Sequence, residues 1–417
     1  MKKTGRFFLA AAVCLLAFAS AVGAQEKRGK GHVVVPSSSV ERPGDLGVNA
    51  HTNLRIMMPA EGHFSGNVQP SELPPFLGFF FETPASIACV YHLVRHPLPG
   101  CNPDQTMENP SGGSGAIAVV DAFDDPNAAG DLAAFSAQFG LVAADFQVVY
   151  AGGTAPPVDP SGGWELEESL DIEWAHAMAP KAKLFLVEAN SNSFEDLFNA
   201  VIVAANIVAS NGGGEVSMSF GGAEFTQETL SDSIFTTPGV VYISSAGDGP
   251  GATWPSTSPN VISAGGTTIS RDAFTGEFLL ENAWQDGGGG PSQVEPRPSF
   301  QNGVARAVGP SRGTPDISFD ANPNTGVWIY DTNPLQGQVA AWYVVGGTSV
   351  SSPSLAGIIN SAGHFESSSE AELTLIYRHG GFNDVVYGTC GINIGNFAGQ
   401  GWDFCTGLGS PNGYRGE

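Results

Sequence analysis

Basic residues are scarce in this chain: 17 Lys and Arg stand against 41 Asp and Glu over 417 residues, a formal charge of −24 at pH 7. So negative a surface repels nucleic acid and anionic membranes, and neither is expected as a partner. Beyond the N-terminus no apolar run approaches the roughly 18 residues that a membrane span requires. No membrane anchor is expected. Disorder-promoting composition is lacking too, because Gly and Pro make about a fifth of the chain, below the roughly 25–30% that marks low-complexity sequence. Long but ordered loops are the better reading, above all over 269–315, where Gly287 to Gly290 and several prolines fall.

Cysteine is limited to five residues, and Cys14 lies in a segment with the features of a secretory signal. Lys2, Lys3 and Arg6 precede an apolar run from Phe7 to about Phe18, and small residues follow to Ala24. That order of charge, apolar core and small residues directs export, so 1–24 reads as a signal peptide and the protein as secreted, extracellular or periplasmic. Its removal would leave 14 basic against 41 acidic residues, or −27. Repulsion among the carboxylates relaxes when they are protonated, so acid is tolerated. Cys89, Cys101, Cys390 and Cys405 remain, an even number suited to an oxidising compartment. Of three possible pairings, closeness in sequence favours Cys89 with Cys101 and Cys390 with Cys405.

Residues 25–82 carry Pro36, Pro43, Pro59, Pro70, Pro74 and Pro75 with little periodicity, and read as a short leader or wrapping segment. One large domain is expected over 83–417. Near-continuous apolar runs at 116–120, 146–151, 182–187, 216–220, 240–244 and 260–264 have the length of buried strands. Helical patterns at 127–139, 165–178 and 194–207 alternate with them. The alternation predicts an α/β fold, a mainly parallel central sheet with helices on both faces.

The most pointed local feature is Gly-Gly-Thr-Ser-Val-Ser-Ser-Pro at 346–353. Ser349 there follows an apolar run and precedes a helical pattern. A serine at such a corner exposes its hydroxyl at the positive end of a helix dipole, which suits a nucleophile, although Gly-Thr-Ser is also a common turn and cap.

Partners are found upstream. Glu167 and Asp171 lie four apart in the predicted helix 165–178 and share a face. Two carboxylates so placed share a proton, which raises one pKa and leaves a base that still works in acid, where histidine is already charged. The plain alternative is a solvated acidic face formed by Glu165, Glu167, Glu168 and Glu173; Leu170, Ile172 and Trp174 argue instead for packing. His176 projects about 140–180° away from that pair and reads as structural or surface. Asp248 sits in a glycine-flanked loop at the end of the run 240–244, the edge where parallel sheets place their sites. Asp-Gly is an ordinary turn signal, but a carboxyl group that holds a proton can also donate to an oxyanion.

Glu167, Asp171, Asp248 and Ser349, in this order and context, resemble the sedolisin, or serine-carboxyl peptidase, family. Ala-Pro-Lys-Ala-Lys-Leu-Phe-Leu-Val at 179–187, Ser-Ser-Ala-Gly-Asp-Gly at 244–249 and Ser-Pro-Asn-Val-Ile-Ser-Ala-Gly-Gly-Thr-Thr at 258–268 add to the match, which runs from about Thr83 to Pro411. The resemblance implies a subtilisin-like fold and an endopeptidase in which Ser349 attacks, Glu167 takes its proton, Asp171 supports Glu167 and Asp248 stabilises the oxyanion. It implies that Ser219 and Gly221 bind polypeptide substrate through their backbone by strand addition, and that Phe220 helps shape substrate preference. It also implies a calcium site from Asp384 and Asp403 with the carbonyls of Val385, Gly399 and Gly401, a hard-oxygen set. A monomer is the simplest expectation. The family's long propeptide is replaced here by about 58 residues between Ala24 and Thr83, which opens the question of latency. Asp121 ends a strand much as the triad aspartate of true subtilisins does, but the His-Gly-Thr-His phrase of those enzymes is absent, and Asp121 reads as a strand-end residue. The competing readings are a catalytically silent, calcium-stabilised binding module and a neutral hydrolase that uses Asp121.

Overall fold

Each of the six apolar runs becomes a strand of the central sheet in the computed structural model, which describes residues 31–58, 74, 79–335, 341–391 and 396–414. The predicted signal, 1–24, lies outside the described residues. In chain order the strands are β1 (His32–Val34), β2 (His51–Thr52), β3 (Arg55–Met58), β4 (Ala116–Ala122), β5 (Asp145–Tyr150), β6 (Lys183–Ala189), β7 (Gly214–Met218), β8 (Phe220–Ala223), β9 (Val240–Ser245), β10 (Thr253–Trp254), β11 (Ile262–Arg271), β12 (Phe278–Ala283), β13 (Gly290–Pro296), β14 (Ser311–Thr314), β15 (Ile317–Asp320), β16 (Val327–Tyr330) and β17 (Trp342–Gly346). The helices are α1 (Pro84–Val90), α2 (Ala128–Phe139), α3 (Gly163–Met178), α4 (Phe194–Ser210), α5 (Ala305–Val308), α6 (Thr348–Ala362) and α7 (Ser369–His379).

The large sheet runs β12-β11-β9-β7-β4-β6-β5, with β15 also paired to β11. Every pairing in it is parallel except β11 with β12. Side chains of β4 alternate between two cores, as the period of two in a strand requires. Ile117 and Val119 pack with Leu166 and Leu170 of α3, whereas Ala116, Ala118 and Val120 pack with Ala200, Val201 and Ala204 of α4. Helices α3 and α6 lie against each other on the first face.

Two expectations need correction. The stretch 269–315 is not a long loop: it holds the end of β11 and the whole of β12, β13 and β14. These strands pair in antiparallel fashion and are only partly buried, so they lack the continuous apolar run that marks the parallel strands. The solvated-face alternative for 165–178 also fails, because every residue of α3 is buried.

The described part of the leader joins the core. β3 pairs with β17, the strand that leads into Ser349, and β1 pairs with β3. β2 pairs with β8. Disulfides link Cys89 to Cys101 and Cys390 to Cys405. No helix among the described residues is long and apolar enough to cross a membrane.

Candidate active site

Helix α3 starts where Gly162 turns the chain at φ +73°, and the Asp159 carboxylate accepts from the N–H groups of Gly163 and Trp164 at 3.1 and 3.3 Å. This satisfies two of the orphan donors of a helix N-terminus. The helix then carries Glu165, Glu167, Glu168, Asp171 and Glu173 into the interior. None of them meets a cation: among the described residues no ion pair reaches α3. Protons are left to neutralise them.

Glu167 and Asp171 face Ser349. Burial pushes the Glu167 carboxyl well above the usual range, the Asp171 charge adds to this, and the nearby Ser349 hydroxyl works in the opposite direction. Neither Glu167 oxygen has a complete hydrogen bond, since the Ser349 hydroxyl instead donates to the Ser219 carbonyl at 3.2 Å. Asp171, also raised by burial, accepts from Ser219 Oγ at 2.9 Å. Behind the pair stands Asp121, fully buried, with neither oxygen hydrogen-bonded. Its carboxyl is pushed up by burial and then by the charges of Asp171 and Glu167. Three carboxyl groups therefore share one buried enclosure. Reading Asp121 as a strand-end residue placed it correctly but missed this company; its odd number on β4, shared with Val119, aims it at α3.

Asp248 approaches Ser349 from the end of β9. Its Oδ1 accepts from Thr348 N at 2.7 Å and Thr348 Oγ1 at 2.9 Å, and Arg55 Nη1 lies 3.4 Å from Oδ2. Burial raises this carboxyl to about 6, and the Arg55 charge restrains the rise. Gly347 makes the close approach possible: at φ +101°, a Cβ there would collide with the Asn53 carbonyl oxygen and lie 2.7 Å from Asp248 Oδ2. His176 is buried on the other side of α3 and its Nε2 meets the Val142 carbonyl at 2.8 Å.

The cleft is filled by the leader. In β2, His51 is opposite Gly221 and Thr52 opposite Phe220 in antiparallel register. The Asn53 N–H faces both the Ser219 carbonyl, at 3.3 Å, and Ser349 Oγ, at 3.1 Å. The Asn53 carbonyl accepts from Ser349 N–H at 3.1 Å. Nothing in the proline-rich composition of the leader signalled this placement. Ser219 and Gly221 present backbone to it, while the Phe220 ring is fully buried in the second core.

At the C-terminal end, Asp384 Oδ2 accepts from Gly401 N at 2.9 Å and Asp403 Oδ2 from Gly399 N at 2.8 Å. The two carboxylates thus grip one loop from both ends. Among the described residues, no hydrogen bond ends on the carbonyls of Val385, Gly399 or Gly401. Two carboxylates and three unclaimed carbonyls fit a calcium ion.

No family model matches the chain. It is 29% identical over 406 residues to kumamolisin of Bacillus sp. (strain MN-32), covering 88% of this chain and 67% of that protein. Sedolisin of Pseudomonas sp. (strain 101) is 29% identical over 329 residues, covering 67% of this chain but only 53% of its own length. Among solved structures, Pseudomonas sedolisin, described as a serine-carboxyl proteinase complexed with two molecules of pseudo-iodotyrostatin, superposes with a TM-score of 0.64 at 24% identity. That match covers 80% of this chain and 95% of the other, and shows a shared fold.

Proposed function

We propose that this chain, a member of the sedolisin family of serine-carboxyl peptidases and similar to kumamolisin, hydrolyses peptide bonds at Ser349. One observation carries the reading: a residue of the leader, Asn53, lies on Ser349, its carbonyl on the Ser349 N–H and its N–H on the Ser219 carbonyl. A polypeptide substrate that adds to β8 in the same way presents a carbonyl carbon to Ser349 Oγ.

In the charge state in which Asp171 and Asp121 hold the protons of the enclosure and Glu167 is ionised, Ser349 Oγ bonds to that carbon and passes its proton to Glu167, whose unsatisfied oxygens make it the free acceptor. The peptide C–N bond then breaks, and Glu167 returns the proton to the leaving amine. Water hydrolyses the resulting ester by the same route. Asp171 positions the site through Ser219 and shares proton occupancy with Glu167 and Asp121. Asp248 stabilises the oxyanion from Oδ2, which has no hydrogen-bond partner. Donation requires the protonated form, which predominates below about pH 6. Acid action follows from that requirement.

Asp384, Asp403 and the carbonyls of Val385, Gly399 and Gly401 would hold calcium, which fastens the C-terminal loops and takes no part in the chemistry. Both disulfides suit the oxidising compartment of an extracellular protein.

The test is digestion of a denatured protein across pH 2–8 by the wild type and by Ser349→Ala. Activity confined to acid and lost in the variant is expected. An inert wild type, or equal activity in the variant, would sink the reading.

A further inference from the structure

We infer that this enzyme prefers asparagine on the acyl side of the bond it cuts, and that Ser245 is the residue that reads it. This preference presupposes the peptidase chemistry proposed above.

The leader runs through the cleft in the direction of a substrate. It is antiparallel to β8, and the one residue that gives its N–H to the Ser219 carbonyl and its carbonyl to the Ser349 N–H is Asn53. Asn53 is therefore the residue whose carbonyl Ser349 would attack, and Leu54 follows the bond that would break. The Asn53 side chain enters a closed pocket, being 1% exposed. There its Nδ2 donates to Ser245 Oγ at 2.7 Å. Ser245 is the last residue of β9, three before Asp248, and is fully buried.

Burial strips water from both groups, so each depends on the other. A buried amide without a partner carries the full cost of desolvation, and so does a buried hydroxyl. An aliphatic or aromatic side chain in this pocket would leave the Ser245 hydroxyl without its amide partner. A pocket built to bond a polar group rejects analogues that lack it far more strongly than an apolar pocket rejects a wrong shape. Glutamine, longer by one methylene, would push its amide past the hydroxyl. The leader thus displays the side chain that the pocket is shaped and wired to take, on the bond between Asn53 and Leu54.

The test uses peptides identical except for Asn, Gln, Ala, Leu or Phe at the acyl position, with kcat/KM measured for the full chain. Asn is expected to exceed Ala, Leu and Phe by about 10-fold or more, and Ser245→Ala to bring the Asn to Leu ratio within about 3-fold of unity. Acid incubation of the wild type should also yield a new N-terminus at Leu54, more slowly in Asn53→Ala. Because Ser245 is buried and its variant could misfold, the wild-type panel decides alone. Digestion of denatured protein with Leu or Phe ranked at or above Asn overturns the preference and leaves the peptidase intact. Failure to cleave any peptide or denatured protein overturns both.

Discussion

Glu167 with Asp171 and Asp384 with Asp403 are both pairs of acids drawn together by the fold, yet the protein treats them in opposite ways. Asp384 and Asp403 are wrapped by backbone N–H groups: Gly401 donates to the first, and Gly399, Cys405 and Thr406 to the second. At Asp403 such donors oppose the rise in pKa that burial causes, and so help keep the charged form that binds a cation. Glu167 is offered no complete hydrogen bond and Asp171 only the Ser219 hydroxyl, both in a buried enclosure shared with Asp121. That environment favours the proton. The functional group is the same; how firmly a carboxyl holds a proton is decided by the burial and the backbone donors around it.

The comparison breaks most visibly under neutralisation. Glu167→Gln keeps the shape of the side chain but cannot accept a proton, and should lower kcat by about 10²- to 10⁴-fold. Asp384→Asn should leave kcat nearly unchanged at 25 °C. Peptide hydrolysis by Glu167→Gln at a rate within a few fold of the wild type would refute the distinction.

Stability against pH comes next in size. The buried carboxyls have folded pKa values above their unfolded ones: Asp125 at about 6, Glu165 at about 7 and Glu188 at about 9, with Glu167, Glu168, Asp171 and Glu173 raised as well, all chiefly by burial. The folded state therefore binds more protons than the unfolded chain between about pH 4 and 9. Stability contributed by these groups is present in acid and is lost as pH rises through the folded values, at a slope of up to about 1.4 kcal/mol per pH unit for each extra proton held. Urea midpoints should therefore fall from pH 5 to pH 8. A rise over that range would show that α3 is hydrated.

Metal removal probes the other pair. At calcium concentrations of 100 times Kd, binding adds about 2.7 kcal/mol, so a chelator should lower Tm by about 5 °C at about 2 °C per kcal/mol. Asp403→Asn should abolish that difference, whereas Glu167→Gln should retain it.

How much of this could be read in the sequence follows the same division. The parallel strands announced themselves because burial on both faces requires continuous apolar runs, and the four-residue spacing of Glu167 and Asp171 fixes their shared face on any helix. The half-buried antiparallel strands within 269–315 gave no such run, and their glycines and prolines looked like loop. Asp121 could be placed at a strand end, but its neighbours come from a helix 46 and 50 residues further on, and only tertiary packing brings them together. The leader was least legible. Asn53 and Arg55 have no local pattern; their roles arise from register with β8 and β17, fixed by strands about 170 and 290 residues away.

Arg55 gives the smallest and finest test. It lies in the leader, and its guanidinium holds Asp248 partly in the charged form through a 3.4 Å contact and a 2.9 Å hydrogen bond to the Asp248 carbonyl. Without that charge, burial is opposed only by the Thr348 hydrogen bonds and His51, and the Asp248 pKa rises above about 6. Arg55→Ala should therefore move the alkaline limb of leader cleavage upward, by about half to one pH unit for a partly exposed pair worth about 1 kcal/mol. High salt should produce part of the same change in the wild type, because ions screen the pair. Cleavage after Asn53 leaves Arg55 on the mature chain, in β3 and paired with Gly346, so the pH profile on added peptide should differ between the two proteins in the same direction. Identical profiles on added peptide would mean that Arg55 does not act on Asp248.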